Sequence, residues 1–338
     1  MSSVNGKPSK IWYAAKADSP VVRHNLPMKR FALGLLVGWS CIGAEYPSAE
    51  ISNGEVKAKL YLPDVDKGSY HGTRFDWSGI ITSLQYKGHE YFGQWYEKHD
   101  PKIHDAITGP VEEYTIQDAE RVRLGAGVVK KPDTGAYKRF ETYDIEDPGK
   151  WTINKDPHRI EFIHELKGPD GLAYGYAKMV RLEKDKPRLV IDHILRNTGQ
   201  HAIDLTQYNH NFFVIDNEVV GPDVVVRFPF AVKAKADWKD MAQVRGSDIV
   251  YSRELQKGES VASEIEGFGA DAKSYDFRIE NRKSGAGVHI TGDQPLARIY
   301  FWSIRSVACP EPYIHLRVEP GQQMKWQIAY EFYTLPGS

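Results

Sequence analysis

The chain has 338 residues, of which 41% are hydrophobic and 26% are charged, so it can bury a substantial core. Its 44 basic and 45 acidic residues are interspersed and leave a net charge of -1, which argues against a nucleic-acid partner. An aromatic content of 12% argues against a disordered chain.

The first element is a short apolar run over residues 31–44, which follows two basic residues. The run is too short to span a bilayer but has the length of the hydrophobic region of an export signal. Small residues at its end offer a cleavage point after Ala44. We therefore predict a leader and signal peptide over 1–44, a single domain over 45–338, and a periplasmic or secreted mature protein without membrane contact. A buried β-strand is the alternative interpretation of the run, and Met28 is an alternative start.

Cysteine usage limits the chemistry of the chain. Cys41 and Cys309 are the two cysteines in the sequence, and Cys41 leaves with the predicted signal peptide. The mature chain would then have one thiol and no internal disulfide, and a cysteine-based zinc site is excluded. A lipoprotein anchored through Cys41 is a weaker alternative, because the residues before it do not match the usual pattern.

From about residue 50 onward, short runs of alternating polar and apolar residues are separated by turn residues. No βαβ alternation, no repeat of fixed period and no convincing amphipathic helix interrupts them, which argues against a parallel sheet or a propeller. We predict an all-β fold, a large antiparallel β-sandwich with a concave sheet face suited to a ligand. Its predicted strands include 57–62, 79–86, 188–196, 224–232, 286–291, 297–302 and 324–333.

The first polar cluster lies over residues 72–79 and contains Arg74, Asp76 and Trp77. A planar guanidinium can donate several hydrogen bonds to sugar hydroxyls, and an indole can stack on the C–H face of a sugar. This combination favours a hydroxyl-binding unit. A surface Arg–Asp pair near the start of a strand is the alternative.

The second cluster, over residues 104–114, combines His104 with the carboxylates Asp105, Glu112 and Glu113. These groups could bind a sugar or ligate a metal. Their spacing fits no standard metal motif, so we predict no metal site here.

The third cluster, over residues 207–213, places His210 between Asn209 and Asn211 and before two phenylalanines. A lone histidine is often a structural residue with its hydrogen bonds satisfied. Here the amides could instead orient the imidazole for proton transfer.

The fourth cluster, over residues 308–313, holds Glu311 between Pro310 and Pro312. Each proline fixes its own φ angle and restricts the residue before it. A carboxylate held in this way is suited to act as a general base. An exposed glutamate in a tight loop is the alternative.

Taken in this order, the clusters resemble motifs of the aldose 1-epimerases, in the galactose mutarotase-like superfamily, over roughly residues 50 to 333. Residues 208–213 resemble the Asn-His-x-Tyr-Phe-Asn motif of that family, which includes its catalytic acid. Residues 309–312 resemble the Cys-x-Glu-(Pro/Thr) motif, which includes its catalytic base. The resemblance implies a galactose mutarotase-like supersandwich in which His210 is the acid and Glu311 the base.

The resemblance also implies residues that bind the substrate. Residues 274–277 resemble a Tyr-Asp motif, which assigns sugar hydroxyls to Asp276. Arg74 has the position of a substrate-binding arginine, and His104 is assigned to the position of the family's first histidine. We add Asn209 and Trp77 to the predicted substrate-binding residues.

Two departures from the family pattern indicate an outlying branch. His104 is followed by Asp-Ala, whereas the family has Gly-Gly at this point. Val214 follows the histidine motif, where Asn-Leu is usual.

The function that the resemblance implies is interconversion of sugar anomers by acid–base ring opening. Glu311 would take a proton from the anomeric hydroxyl while His210 delivers one to the ring oxygen. His210 must then be protonated, and we expect a carboxylate such as Asp276 to raise its pKa. No cofactor is required, and the partner would be a small-molecule sugar or saccharide bound to a monomer or homodimer. The alternatives are a polysaccharide lyase or other glycoside-processing enzyme on the same fold, and a non-catalytic carbohydrate-binding protein.

Overall fold

The computed structural model describes residues 46–130 and 137–336, which form β-strands joined by turns and loops, with three 3-10 helices and no α-helix in these ranges. The strands of the first part of the chain are β1 (Ser48–Ser52), β2 (Val56–Tyr61), β3 (Ile80–Tyr86), β4 (His89–Glu90), β5 (Val111–Ile116), β6 (Val122–Arg123), β7 (Gly127–Val129), β8 (Ile145–Asp147), β9 (Lys150–Asp156), β10 (Arg159–Lys167), β11 (Ala173–Leu182), β12 (Arg188–Asn197) and β13 (Ile203–His210).

The remaining strands are β14 (Val224–Arg227), β15 (Lys233–Ala234), β16 (Ala242–Arg245), β17 (Asp248–Tyr251), β18 (Ser260–Glu266), β19 (Asp276–Asn281), β20 (Ala286–Gly292), β21 (Arg298–Ile304), β22 (Val307–Val318) and β23 (Gln323–Thr334). The 3-10 helices span Pro169–Gly171, Ile215–Asn217 and Ala272–Ser274.

Two large antiparallel sheets form the sandwich. One has ten strands in the order β16-β17-β14-β19-β20-β23-β12-β11-β10-β9, and the other has six in the order β15-β18-β21-β22-β13-β5. Smaller sheets are β1-β2-β3-β4 and β6-β7-β8. The prediction of an all-β antiparallel sandwich is therefore confirmed.

The predicted strands agree with the observed ones to within one or two residues, with one exception. The run 224–232 was expected to be one strand, but β14 ends at Arg227. Pro229 follows two residues later, and a proline has no N–H to donate to a strand ladder.

The core lies between the two large sheets because apolar residues alternate onto their facing sides. Ile191 and Tyr330 project from the ten-stranded sheet, and Leu205 and Ile314 project from the six-stranded sheet. All four are essentially inaccessible to solvent. Burying one such aliphatic side chain stabilises the fold by about 1.5–3 kcal/mol.

A second, smaller core lies on the opposite face of the six-stranded sheet, where loops before β5 cover it. Phe75 and Trp77 from these loops pack with Phe212 and Val307 of the sheet side. The candidate site lies on this outer face, beside the second core, where Phe75 and Phe212 contact His210.

Among the described residues no helix combines the length and the apolar character that crossing a membrane requires. The predicted leader and signal peptide, with Cys41, lie outside the described residues. Export of the protein and the boundary after Ala44 therefore stay predictions.

Candidate active site

The pairing of β13 with β22 brings the two predicted catalytic residues together. Side chains two residues apart on a strand share a face, so His210 shares one with Tyr208, and Glu311 shares one with Tyr313. Tyr208 and Tyr313 are directly opposite each other in the ladder, and their rings stack with centroids 4.3 Å apart. This register aligns the next residues on the same face, His210 and Glu311, across the two strands.

Glu311 lies in a strand and not in the exposed loop that the alternative interpretation required. The ladder between β22 and β13 pairs the residues of β22 from Val318 back to Tyr313. Pro310 and Pro312, on either side of Glu311, lie beyond its end and have no partner on β13. The Asn211 side chain donates a hydrogen bond to the Pro310 carbonyl (2.7 Å) in place of the ladder. The prolines are therefore accommodated where one side of the strand needs no N–H donor.

His210 is fixed on several sides. Its Nε2 lies 3.5 Å from Oε1 of Glu311, and its Nδ1 lies 2.8 Å from Sγ of Cys309. The Phe212 ring stacks on the imidazole with centroids 3.6 Å apart and an interplanar angle of 7°. His210 and Glu311 are 5% and 4% exposed, so the pair is held in a nearly dry position at the sheet face.

Burial acts in opposite directions on the two members of this pair. It raises the pKa of Glu311 to about 7, although Arg74 and Arg139 nearby oppose the rise. Burial, reinforced by the same two arginines, lowers the pKa of His210 well below its usual value. In mildly acidic solution the pair therefore holds one proton, and that proton resides on Glu311. The expectation of a raised pKa at His210 is wrong.

Arg74 reaches the site as predicted from its position, but it is already engaged by protein groups. Its Nε donates to Oε2 of Glu113 (2.7 Å), its Nη2 donates to the Tyr208 hydroxyl (3.0 Å), and its Nη1 pairs with Asp105. Arg139 pairs with Oε1 of Glu113 from the other side (2.7 Å). Burial opposes the charge of Glu113, yet these two arginines keep its pKa below the usual value.

His104 lies at the rim of the site. It lines a cavity of about 870 Å³ together with Trp95 and Asp105. Its Nδ1 is 2.8 Å from Oδ2 of Asp105, which in turn pairs with Arg74. Phe140 stands beside it with a ring centroid 5.1 Å away and is 57% exposed, so it presents an aromatic face to solvent at this rim.

Two of the predicted sugar-binding residues are buried in the interior instead. Asn209 alternates to the core side of β13, where its Nδ2 donates to Oε1 of Glu112 (3.0 Å). Trp77 is fully buried in the second core and donates its indole N–H to the Gly72 carbonyl (2.8 Å). Neither side chain can contact a ligand on the sheet face, so both assignments are wrong.

Asp276, which was predicted to bind the sugar, does not lie at the site. It begins β19 in the ten-stranded sheet, and its side chain lies on the outer face of that sheet, opposite to the buried Phe277. There it accepts hydrogen bonds from Nε2 of His289 (2.8 Å) and from Arg278 (3.1 Å). The prediction that Asp276 binds sugar or raises the pKa of His210 is therefore wrong.

Several residues of the site were not predicted. Tyr208, Cys309 and Tyr313 could have been found, because each lies two residues from His210 or Glu311 on a strand and must share its face. The Tyr313 hydroxyl donates to Oε2 of Glu311 (3.3 Å). Arg139 had no comparable signal, because a loop far from the motifs brings it to Glu113.

His210, Cys309 and Glu311 place potential metal-ligand atoms within 4.8 Å of one another. Sγ of Cys309, however, contacts Nδ1 of His210, while the Glu311 carboxylate contacts Nε2. An ion bound to one ring nitrogen would have one of these two groups on the wrong edge of the imidazole. Cys309 and His210 are within hydrogen-bond distance, and the Glu311 carboxylate lies at ion-pair distance from the other ring nitrogen.

Comparison with solved structures identifies the fold. A galactose mutarotase-like protein from Clostridium acetobutylicum superposes with a TM-score of 0.53 at 15% identity, covering 85% of this chain and 95% of the other. A galactose mutarotase-like protein from Lactobacillus casei ATCC 334 gives 0.51 at 12% identity, covering 85% and 100%. An aldose epimerase homologue from C. elegans gives 0.52 at 14% identity, covering 86% and 100%.

No protein-family model and no curated protein matches the chain. The structural matches cover nearly the whole length of these proteins, so the chain has the galactose mutarotase-like β-sandwich fold that its motifs predicted. The low identities are consistent with the outlying branch that the departures from the motifs indicated.

Proposed function

We propose that the protein is a carbohydrate-active enzyme that interconverts sugar anomers, with His210 and Glu311 as its acid–base pair. The observation that supports this most directly is the 3.5 Å approach of Nε2 of His210 to Oε1 of Glu311 on the outer face of the six-stranded sheet. The pKa of Glu311, about 7, suits a group that exchanges protons near neutral pH.

Ring opening removes a proton from the anomeric hydroxyl and adds one to the ring oxygen. In the state that burial favours, Glu311 is protonated and His210 is neutral. Glu311 then donates its proton to the ring oxygen, and Nε2 of His210 accepts the proton of the anomeric hydroxyl. The C1–ring-oxygen bond breaks as the carbonyl forms, and no net proton is gained or lost.

The product of this step is an imidazolium beside a carboxylate, and their contact stabilises both charges. Nδ1–H of His210 donates to Cys309 in this cycle, which leaves Nε2 free to accept. After rotation about the C1–C2 bond, the two transfers reverse and close the ring on the other face of the carbonyl. These roles are the reverse of those implied by the motifs, but both versions need a pair that holds one proton.

The surroundings of the pair supply contacts for a sugar. The Arg74 and Tyr208 groups adjoin His210, and the exposed ring of Phe140 lies with its centroid 5.1 Å from the Arg74 guanidinium carbon. Phe140 can stack on the C–H face of a sugar, since aromatic rings offer a large apolar surface.

Because the reaction begins with one proton on the His210–Glu311 pair, the pH dependence of the rate can be predicted. Glu311 loses its proton as the pH rises through about 7, so kcat/KM should fall about tenfold for each pH unit above that value. A rate that keeps rising from pH 7 to 9 would contradict a protonated Glu311 in the competent state.

The direct test is the optical rotation of freshly dissolved α-D-glucose and α-D-galactose with the purified protein. Acceleration that is lost in Glu311→Gln and in His210→Gln would support the proposal. If no aldose in a panel of hexoses and pentoses is accelerated, the proposal fails. Release of products that absorb in the ultraviolet from polysaccharides would then favour a lyase, and binding without turnover would favour a binding protein.

A further inference from the structure

A cavity of about 540 Å³ adjoins the proposed acid–base pair on the same sheet face. Tyr208 and Tyr313 line it, and they lie two residues from His210 and Glu311, respectively. Two residues of a strand span roughly 6.6 Å. A pyranose whose anomeric carbon lies at the pair can therefore reach this cavity with its opposite side.

Three arginines line the cavity: Arg123, Arg139 and Arg298. Arg139 pairs with Glu113, and Arg298 pairs with Glu264 on the neighbouring strand. Both are partly exposed. Their charges are therefore largely compensated by protein carboxylates.

Arg123 differs from its neighbours. It is only 5% exposed, and no carboxylate among residues 46–130 and 137–336 lies within ion-pair distance of it. Its Nε donates to the Thr73 carbonyl (3.2 Å), and its guanidinium carbon lies 4.1 Å from the centroid of the Tyr137 ring. These contacts hold the guanidinium at the cavity wall but supply no negative charge.

A buried charge without a counter-charge is costly, and a planar guanidinium matches the two oxygens of a carboxylate or phosphate. We propose that this cavity receives an anionic group carried by the sugar, with Arg123 as its principal partner and Arg139 and Arg298 at its sides. The inference rests on the proposed function, because that function places the anomeric carbon at His210 and Glu311. It narrows the substrate class to sugars with a carboxylate or phosphate ester remote from C1.

Calorimetric titration can test the inference separately from catalysis, in the Glu311→Gln variant as well as in the native protein. The ligands are D-glucose, D-galactose, their uronic acids and their 6-phosphates. We expect at least one anionic form to bind at least tenfold more tightly than its neutral parent. The uronate and phosphate arms distinguish which anion the cavity accepts.

The variant Arg123→Met should lower the ratio of anionic to neutral affinity about tenfold, because it removes a charge-assisted contact. Arg123→Lys, which retains the charge, should keep more of the preference than Arg123→Met. Arg245→Gln on β16 in the ten-stranded sheet is the matched control and should leave the ratio unchanged. If Arg123→Met does not fold, as judged by circular dichroism, the partly exposed Arg298→Met should lower the ratio by a smaller factor.

Equal binding of neutral and anionic sugars, no measurable binding of the anionic forms, or a preference that survives substitution of both Arg123 and Arg298 would overturn the inference. The two proposals can fail independently. Anionic preference without anomer interconversion would retain the anion site and refute the epimerase. Interconversion of neutral sugars without a preference for anionic ones would support the epimerase and refute the anion site.

Discussion

Glu112 and Glu311 are both buried glutamates on strands of the six-stranded sheet, yet their surroundings differ completely. Glu112 projects into the sandwich interior, where it pairs with Lys178 and accepts hydrogen bonds from Nε2 of His193 (3.3 Å) and Nδ2 of Asn209 (3.0 Å). Glu311 projects to the outer face, where the Tyr313 hydroxyl is its hydrogen-bond donor within the described part of the chain.

The protonation of the two carboxyls follows from these partners. Burial alone would raise the pKa of Glu112, but Lys178 and His193 bring it down to about 2. The arginines near Glu311 only oppose burial in part, and its pKa stays raised at about 7. The comparison separates a carboxylate that is satisfied by the fold from one that is left able to exchange a proton.

The largest effect that we expect is on activity at Glu311. Glu311→Gln should lower kcat by about 10²–10⁴-fold, because an amide cannot transfer the proton. The thermal midpoint at neutral pH should not fall, since no counter-ion is left unpaired. Glu331→Gln on an exposed position of β23 is the control for both measurements. Substantial residual activity in Glu311→Gln would mean that Glu311, like Glu112, does not transfer a proton in the reaction.

The interior region should respond in the opposite way. Lys178→Met leaves Glu112 and Asp76 buried without their shared cation, so we expect a loss of about 3–5 kcal/mol in the free energy of unfolding by urea. Any protein that remains folded should keep its turnover per molecule. The exposed Lys57→Met, which breaks only a surface pair with Glu50, should cost less than about 1 kcal/mol.

A double variant checks the cause. Adding Glu112→Gln to Lys178→Met removes one uncompensated charge and should restore part of the lost stability. Equal or greater destabilisation of the double variant would mean that packing, and not charge, explains the effect of Lys178→Met.

The sequence predicted the strands of the sandwich well because alternation and turn residues are local signals. It also selected His210 and Glu311 as candidates from their motifs, and the structure brings these two residues together. It failed at Asn209 because adjacent residues of a strand point to opposite faces, and the motif alone does not say which face lies outside the sandwich. The same alternation separates Glu112 from Glu113.

Longer-range features could not be predicted. The sequence does not show that Asp276 starts a strand of the other sheet, because strand order depends on contacts distant in the chain. Arg139 reaches Glu113 from a loop without regular structure. The direction of the pKa shift at His210 depends on burial and on Arg74 and Arg139, which are properties of the folded site.

The comparison predicts opposite pH dependences of stability. Glu311 has a folded-state pKa above its unfolded value of 4.5, so its contribution is fully present below that value and is lost as the pH rises through about 7. Glu112 has a folded-state pKa of about 2, so its contribution is present above 4.5 and is lost as the pH falls toward 2. The two carboxyls should therefore limit stability at different ends of the pH scale.

Urea unfolding of the native protein and Glu311→Gln between pH 4 and pH 8 measures the first of these contributions. The variant has no titrating group at residue 311. From pH 4 to pH 8, its free energy of unfolding should therefore rise by about 3 kcal/mol relative to that of the native protein. Glu331→Gln should show no such shift. A difference that is independent of pH would mean that the carboxyl of Glu311 has the same pKa in the folded and unfolded states.

The smallest expected effect concerns the two histidines that face these glutamates. Both are buried and stacked on an aromatic ring, His193 on Trp326 at 4.7 Å and His210 on Phe212 at 3.6 Å. Nδ1 of His193 has no hydrogen-bond partner in the described part of the chain, whereas Nδ1 of His210 contacts Sγ of Cys309 at 2.8 Å. The thiol is therefore what distinguishes the imidazole at the site.

Cys309→Ala removes this contact and makes His210 resemble His193. Because Nδ1 then no longer holds the ring in one tautomer and orientation, we expect kcat to fall about tenfold with KM nearly unchanged. Cys309→Ser restores a hydrogen-bonding group and should recover most of the rate. If Ala and Ser have equal effects on kcat and equal thermal midpoints, Cys309 only fills space and the orientation of His210 depends on the Phe212 stack alone.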